Sequence, residues 1–151
     1  MYREPRSKIL ETSCNPVTLD DGRGGIFTGF PVFEQKIVEF NAIFTNPGKQ
    51  RGFHMHPEFN EYVLVMSGHG AYVEYDPGCT SESVMGGEDL VFEPTKHVFK
   101  MGPGDCIYFP RNTYHTFYAI TEVAMVAMLD KKWDDCDVPL VPLDVEAFVD
   151  G

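Results

Sequence analysis

The chain has no run of basic residues. Its 12 Lys and Arg are outnumbered by 23 Asp and Glu, giving a formal net charge of −11. Without clustered cations a chain cannot neutralise a phosphate backbone, so nucleic acid is excluded as a partner. The same charge disfavours anionic membrane surfaces. No stretch approaches the roughly 20 apolar residues of a membrane span, and Met1 to Leu10 lack the apolar core of a secretory signal, so a cytoplasmic protein is expected. Cysteine is sparse: Cys14, Cys79, Cys106 and Cys136 form no Cys-x-x-Cys pair, which argues against a zinc ribbon or a disulfide framework and for free thiols. Long helical periodicity is missing, and there is a single Trp.

What is present is strand-like. The 151 residues suit one core, and 43% hydrophobic content with 12 Phe and 7 Tyr is ample to fill it. Asn41 to Thr45, Glu61 to Met66, Ala71 to Tyr75, Asp105 to Phe109, Thr116 to Ile120 and Val123 to Leu129 are short runs rich in Val, Ile, Phe and Tyr. Turn sequences separate them, among them Asn46-Pro47-Gly48, Asp76-Pro77-Gly78 and Gly102-Pro103-Gly104. An all-β, single-domain fold is expected, with an N-terminal arm and edge strands over 1–35, a barrel over 36–132 and a C-terminal arm over 133–151. The polar stretch within 76–100 reads as a long loop or hairpin extension, either a lid over a site or a tolerated surface insertion.

His54 and His56 are two residues apart, and in a strand such side chains share a face, so both imidazoles can enter a barrel together. Pro57-Glu58-Phe59-Asn60 reads as a turn that brings Glu61 level with them on the returning strand. His115 follows the turn-like Pro110-Arg111-Asn112-Thr113, where barrel closure can place it beside the other three. Three nitrogens and a carboxylate make a candidate site for one divalent ion, Fe, Mn, Ni, Co or Zn, with coordination positions left open. Lys49, Arg51 and Arg111 flank these residues and suit an anionic substrate, although simple strand alternation puts Lys49 and Arg51 on the face opposite His54. His69 in a glycine turn and His97 in a polar connection read as structural or solvent-exposed.

The spacing Gly48, five residues, His54, one residue, His56, four residues, Glu61, six residues, Gly68 matches the first motif of the cupin superfamily in every slot. Gly104, five residues, Pro110, then His115 resembles the second motif. Asn112 stands where that motif usually has Gly and Ala119 where it often has Asn; neither is a ligand position, and Asn tolerates the left-handed turn conformation. The resemblance implies a double-stranded β-helix, or jelly-roll barrel, with His54, His56, Glu61 and His115 as metal ligands.

A closer resemblance lies in Asp21-Gly22-Arg23-Gly24, Arg51-Gly52-Phe53-His54-Met55-His56 and His115-Thr116-Phe117-Tyr118-Ala119-Ile120, which look like the cupin isomerases and epimerases of nucleotide-linked keto-sugars. It implies proton transfer beside a ketone, with His54 as base and Arg51 on substrate phosphate. A metal-bound His54 has its lone pair committed, so with an ion present the proton passes to Glu58, Tyr62, Tyr108 or Tyr118. Cys106 and Tyr108 invite comparison with thiol dioxygenases, but the retained Glu61 weakens it and Cys106 reads as a core residue. An isomerase, epimerase or related lyase is the first expectation. A mononuclear iron dioxygenase is the alternative, and a non-catalytic, metal-stabilised binding module is the third. Exposed sheet edges point to a homodimer.

Overall fold

Short β-branched and aromatic runs closed by Gly, Pro and Asn turns produce ten strands in the computed structural model, which describes residues 4–10, 35–76 and 95–143. They are β1 (Lys8–Leu10), β2 (Glu39–Thr45), β3 (Gln50–Met55), β4 (Glu61–Ser67), β5 (Gly70–Asp76), β6 (Thr95–Met101), β7 (Cys106–Phe109), β8 (Tyr114–Ala119), β9 (Val123–Leu129) and β10 (Val141–Pro142). A 3-10 turn at Trp133–Asp135 is the one helical element among the described residues. The strands form two five-stranded sheets, β1-β7-β4-β9-β2 and β10-β3-β8-β5-β6. Every pairing is antiparallel. No helix among these residues is long and apolar enough to cross a membrane.

Alternation along each strand fills the space between the sheets. Val63, Val65, Ile107 and Phe109 from the first sheet meet Tyr72, Met101, Phe117 and Ala119 from the second in one buried cluster. Burying a side chain of this size is worth about 1.5–3 kcal/mol, which makes the intersheet cluster the main source of stability. The intervening residues face outward. Tyr62, Cys106 and Met128 form a second cluster on the first sheet, covered by Leu10 and Ile37. Val73, Tyr75 and Leu143 form a third with Phe53 and Tyr114.

One expectation is sharpened and one needs correction. The polar stretch Cys79 to Asp89 lies outside the described residues, and the end of 76–100 is a returning strand, because Thr95–Met101 forms β6 along the whole of β5. Lys-His-Val-Phe-Lys-Met hides that strand: its inward residues include His97 and its outward ones two lysines, so the apolar alternation is diluted. His97 therefore lies buried in a strand opposite Glu74, not in a polar connection. Whether a lid exists falls on residues 77–94, outside the described residues, as do Asp21 to Gly24, Cys14, Cys79 and the tail beyond Leu143.

Candidate metal and substrate site

The geometry of the site begins with a defect in a strand. Between β3 and β8 the register runs Arg51 opposite Phe117 and Gly52 opposite Thr116, then slips by one residue so that His54 stands opposite His115. Gly52 and Phe53 make the slip with φ of 111° and 61°. A Cβ on Gly52 would lie 2.8 Å from both the His115 carbonyl oxygen and the Thr116 Cα, so only glycine fits. Such a bulge inserts one extra residue and inverts the alternation beyond it. Arg51 pairs with the inward-facing Phe117 and His54 with the inward-facing His115, so Arg51 and His54 share the interior face. The expectation from simple alternation, that Arg51 lies opposite His54, is thus reversed. Arg51 is an exposed residue whose guanidinium donates to the Thr45 hydroxyl at 2.9 Å and the Phe44 carbonyl at 2.7 Å.

Beyond the bulge the three histidines converge, with ligand atoms all within 4.8 Å of one another. Two of them are held on two sides. His56 Nδ1 lies 2.9 Å from the Pro139 carbonyl and its ring stacks on Phe59 at 4.3 Å. His115 Nδ1 lies 2.9 Å from the Thr113 carbonyl and its ring stacks on Phe109 at 4.4 Å. A carbonyl only accepts, so both Nδ1 atoms carry the proton and both Nε2 lone pairs are free. His54 touches the other two rings at 4.5 and 5.1 Å, and none of the described residues hydrogen-bonds to its ring.

Glu61 lies beside two of the three. Its carboxylate lies 3.8 Å from His56 Nε2 and 3.8 Å from His115 Nε2, outside hydrogen-bonding range. Burial, with the nearby imidazoles, pushes His115 down to about 3; burial pushes His56 down to about 4 and lowers His54. Burial also lifts Glu61 to about 7. At neutral pH the imidazoles are uncharged lone-pair donors that face one another and the Glu61 carboxyl, which is about half ionised there, without bonding among themselves. That donor set of three nitrogens and one oxygen fits a divalent cation.

The surrounding loops are cross-tied. Asn60 receives the Arg111 amide on its side-chain oxygen, while its own amides donate to Asp130 at 2.8 and 2.7 Å. The Asn112 amide donates to the His56 carbonyl, and Asn112 takes φ 66°, the conformation glycine would otherwise supply. From Asp130 the chain passes over the histidines as a strap. Trp133 stands edge-on to His56 at 5.9 Å, and β10 then pairs with β3 beside Met55 and His54.

The other expected catalytic residues are elsewhere. Tyr62 and Tyr108 pack together at 4.7 Å on the outer face of the first sheet, where Tyr62 donates to the Gln35 side-chain oxygen. Tyr118 points outward from the second sheet, between the inward-facing Phe117 and Ala119. Glu58 is engaged by Lys131 at 2.8 Å. Cys106 is fully buried in the outer cluster. Two interior groups went unforeseen. Tyr72 lies buried between Phe109 and Phe117 with its hydroxyl directed at Met125 Sδ, 3.7 Å away. Glu74, paired across the sheet with His115, accepts the Arg6 and Ser7 amides and so fastens the N-terminal segment. Alternation from His115 across β5 would have found both.

The chain is a two-sheet antiparallel β-barrel with a histidine cluster between its sheets. The cupin family model matches residues 29–134, and the chain belongs to that family. Three solved structures share the fold. A 3,4-ketoisomerase from Helicobacter canadensis is 14% identical over 97% of each chain, with a TM-score of 0.63. A sugar 3,4-ketoisomerase from Thermoanaerobacterium thermosaccharolyticum in complex with TDP is 10% identical, over 96% of this chain and 93% of its own, at 0.64. The dTDP-6-deoxy-D-glucose-3,5-epimerase of Legionella pneumophila, in complex with dTDP-4-keto-L-rhamnose, is 16% identical over 95% and 82%, at 0.61. No curated protein matches the chain in sequence.

Proposed function

We propose that the chain is a cupin isomerase or epimerase that moves a proton beside a carbonyl of a sugar-like, anionic small molecule, using one divalent ion held by His54, His56, His115 and Glu61. The observation that carries this reading is the convergence of three neutral imidazoles on the interior face to which the Gly52 bulge also brings Arg51. The similar structures support it, being sugar-nucleotide isomerases and an epimerase. When bound, the ion would supply a Lewis acid for the charge that develops as the proton leaves carbon. Arg51 offers the anionic end of the substrate a fixed cation at the rim. Phe59, Phe109 and Phe117 keep the inner end dry, which strengthens electrostatic contacts there. Glu58, Tyr62, Tyr108 and Tyr118 are turned elsewhere, and the interior phenol of Tyr72, its hydroxyl directed at Met125 Sδ, is held un-ionised by burial.

One observation favours a second reading. Among the described residues His54 alone of the three has neither a carbonyl partner nor a stacked phenyl ring to fix it, and it is only half-buried. In the absence of an ion its ring, unlike those of His56 and His115, is not anchored by a carbonyl and is the one able to turn toward a substrate as a general base.

The deciding experiment measures metal content of protein purified without added metal, for wild type and His56→Ala, and then solvent deuterium uptake by a TDP-linked 4-keto-sugar followed by NMR. Uptake abolished by chelation supports the metal-dependent reading. Uptake that survives chelation but not His54→Ala supports the second. No uptake, with Fe(II)-dependent oxygen consumption, overturns both in favour of a dioxygenase.

Two copies of the chain are proposed to associate. Edge strand β2 leaves Phe40 and Phe44 68% and 66% exposed, as expected of a surface covered by a partner. Gel filtration at a mass near 17.0 kDa would argue against it.

A further inference from the structure

The turn that joins the candidate ligands also grips the strap that crosses them. Glu58 lies two residues after His56. One of its carboxylate oxygens accepts from Lys131 Nζ at 2.8 Å, and the other accepts the Val138 amide at 2.5 Å. One residue beyond Val138 comes the carbonyl of Pro139, the partner of His56 Nδ1. Val138, preceding a proline, is confined to extended backbone, and Pro139 has its φ locked by the ring. Fixing the Val138 amide therefore leaves the Pro139 ψ as the main freedom between that amide and the Pro139 carbonyl, far less than in an ordinary dipeptide.

We infer that Glu58 is a positioning residue: through the strap amide of Val138 it aims the Pro139 carbonyl at His56 Nδ1, and so presents the His56 Nε2 lone pair to the interior. The connection closes on itself, from turn to strap and back to the histidine that begins the turn. His115 is aimed by Thr113, two residues away, with no contribution from the strap. It serves as an internal control. The inference deepens the proposed function but depends on it only for the metal readout.

The test is the imidazole tautomer by long-range 1H–15N NMR in wild type, Glu58→Met and Glu58→Gln, with Zn(II) affinity by calorimetry. In wild type both His56 and His115 carry the proton on Nδ1. In Glu58→Met the His56 signal becomes a mixture of tautomers, the His115 signal stays unchanged, and Zn(II) binds about 10–100-fold more weakly, the usual consequence of losing an outer partner of a ligand. Glu58→Gln, which keeps an acceptor oxygen for the strap amide, restores the wild-type tautomer. If Glu58→Met does not fold, Glu58→Asp, which draws the carboxylate back by one methylene, takes its place with the same expectation. An unchanged His56 tautomer overturns the inference, as does an equal disturbance of His115. If Zn(II) fails to bind wild type, the metal-dependent reading falls while the tautomer comparison still decides the role of Glu58.

Discussion

His115 and His56 reach the same point in the barrel by opposite means. His115 is wired locally: its carbonyl partner is two residues back, and its aromatic neighbour Phe109 ends the preceding strand. His56 shares its own turn with Phe59 but takes its carbonyl from Pro139, 83 residues further on. A short loop closes at little entropic cost, whereas the distant contact exists only once the barrel and strap are both in place. The β8 side of the site is therefore as stable as the core, and the strap side is the part that can loosen independently.

The largest expected effect removes both sides at once. Gly52→Ala forces a Cβ against the His115 carbonyl and demands a positive φ from alanine, so it should cost on the order of 3 kcal/mol and abolish metal uptake. Denaturant melts and metal analysis check this. His115→Ala and His56→Ala separate the two sides. Both should lose metal, but His115→Ala also hollows the core beside Phe109 and should cost about 2 kcal/mol more in chemical denaturation.

Acid should act on the metal-free protein in the same direction. The three histidines have lowered folded-state pKa values, so the unfolded chain binds more protons and stability falls as pH drops from about 6.5 toward 4. Glu61, raised to about 7, opposes this between about 4.5 and 7, but as one group against three. Thermal melts in chelator across that range should show the loss, and His115→Ala should remove the part of it that extends below pH 4 through this histidine. Pro139→Gly is the gentler perturbation. Freeing the backbone of the strap should cost about 1 kcal/mol and weaken Zn(II) binding in calorimetry, while leaving His115 NMR signals in place. Tyr62→Phe sits at the bottom of the scale. Its ring packs on the outer sheet face, so proton-transfer rates should change less than twofold.

The parts of this site legible in the sequence are those that depend on period and spacing. His54, His56, Glu61 and His115 sit at positions where alternation and two turns bring them together, and six of the ten strands follow from apolar runs. The same alternation, applied one step further, places Tyr62 outward once Glu61 is inward, so that misplacement was avoidable. Arg51 was different. A bulge at Gly52 reverses every face before it relative to every face after it, and the Gly-Phe pair carries no period that announces the slip. The strap was invisible for another reason: the Pro139 contact with His56 belongs to tertiary packing, and no local pattern around residue 139 encodes its partner.

Trp133 has a consequence for how the molecule can be studied. It is the only tryptophan in the chain, and its indole stands over His56. Emission from the protein is thus emission from the roof of the histidine cluster, undiluted by any other indole. A quenching ion entering beneath it, a ligand displacing it, or a strap lifting away will each alter the same fluorescence signal, so occupancy can be followed in the unlabelled protein in real time.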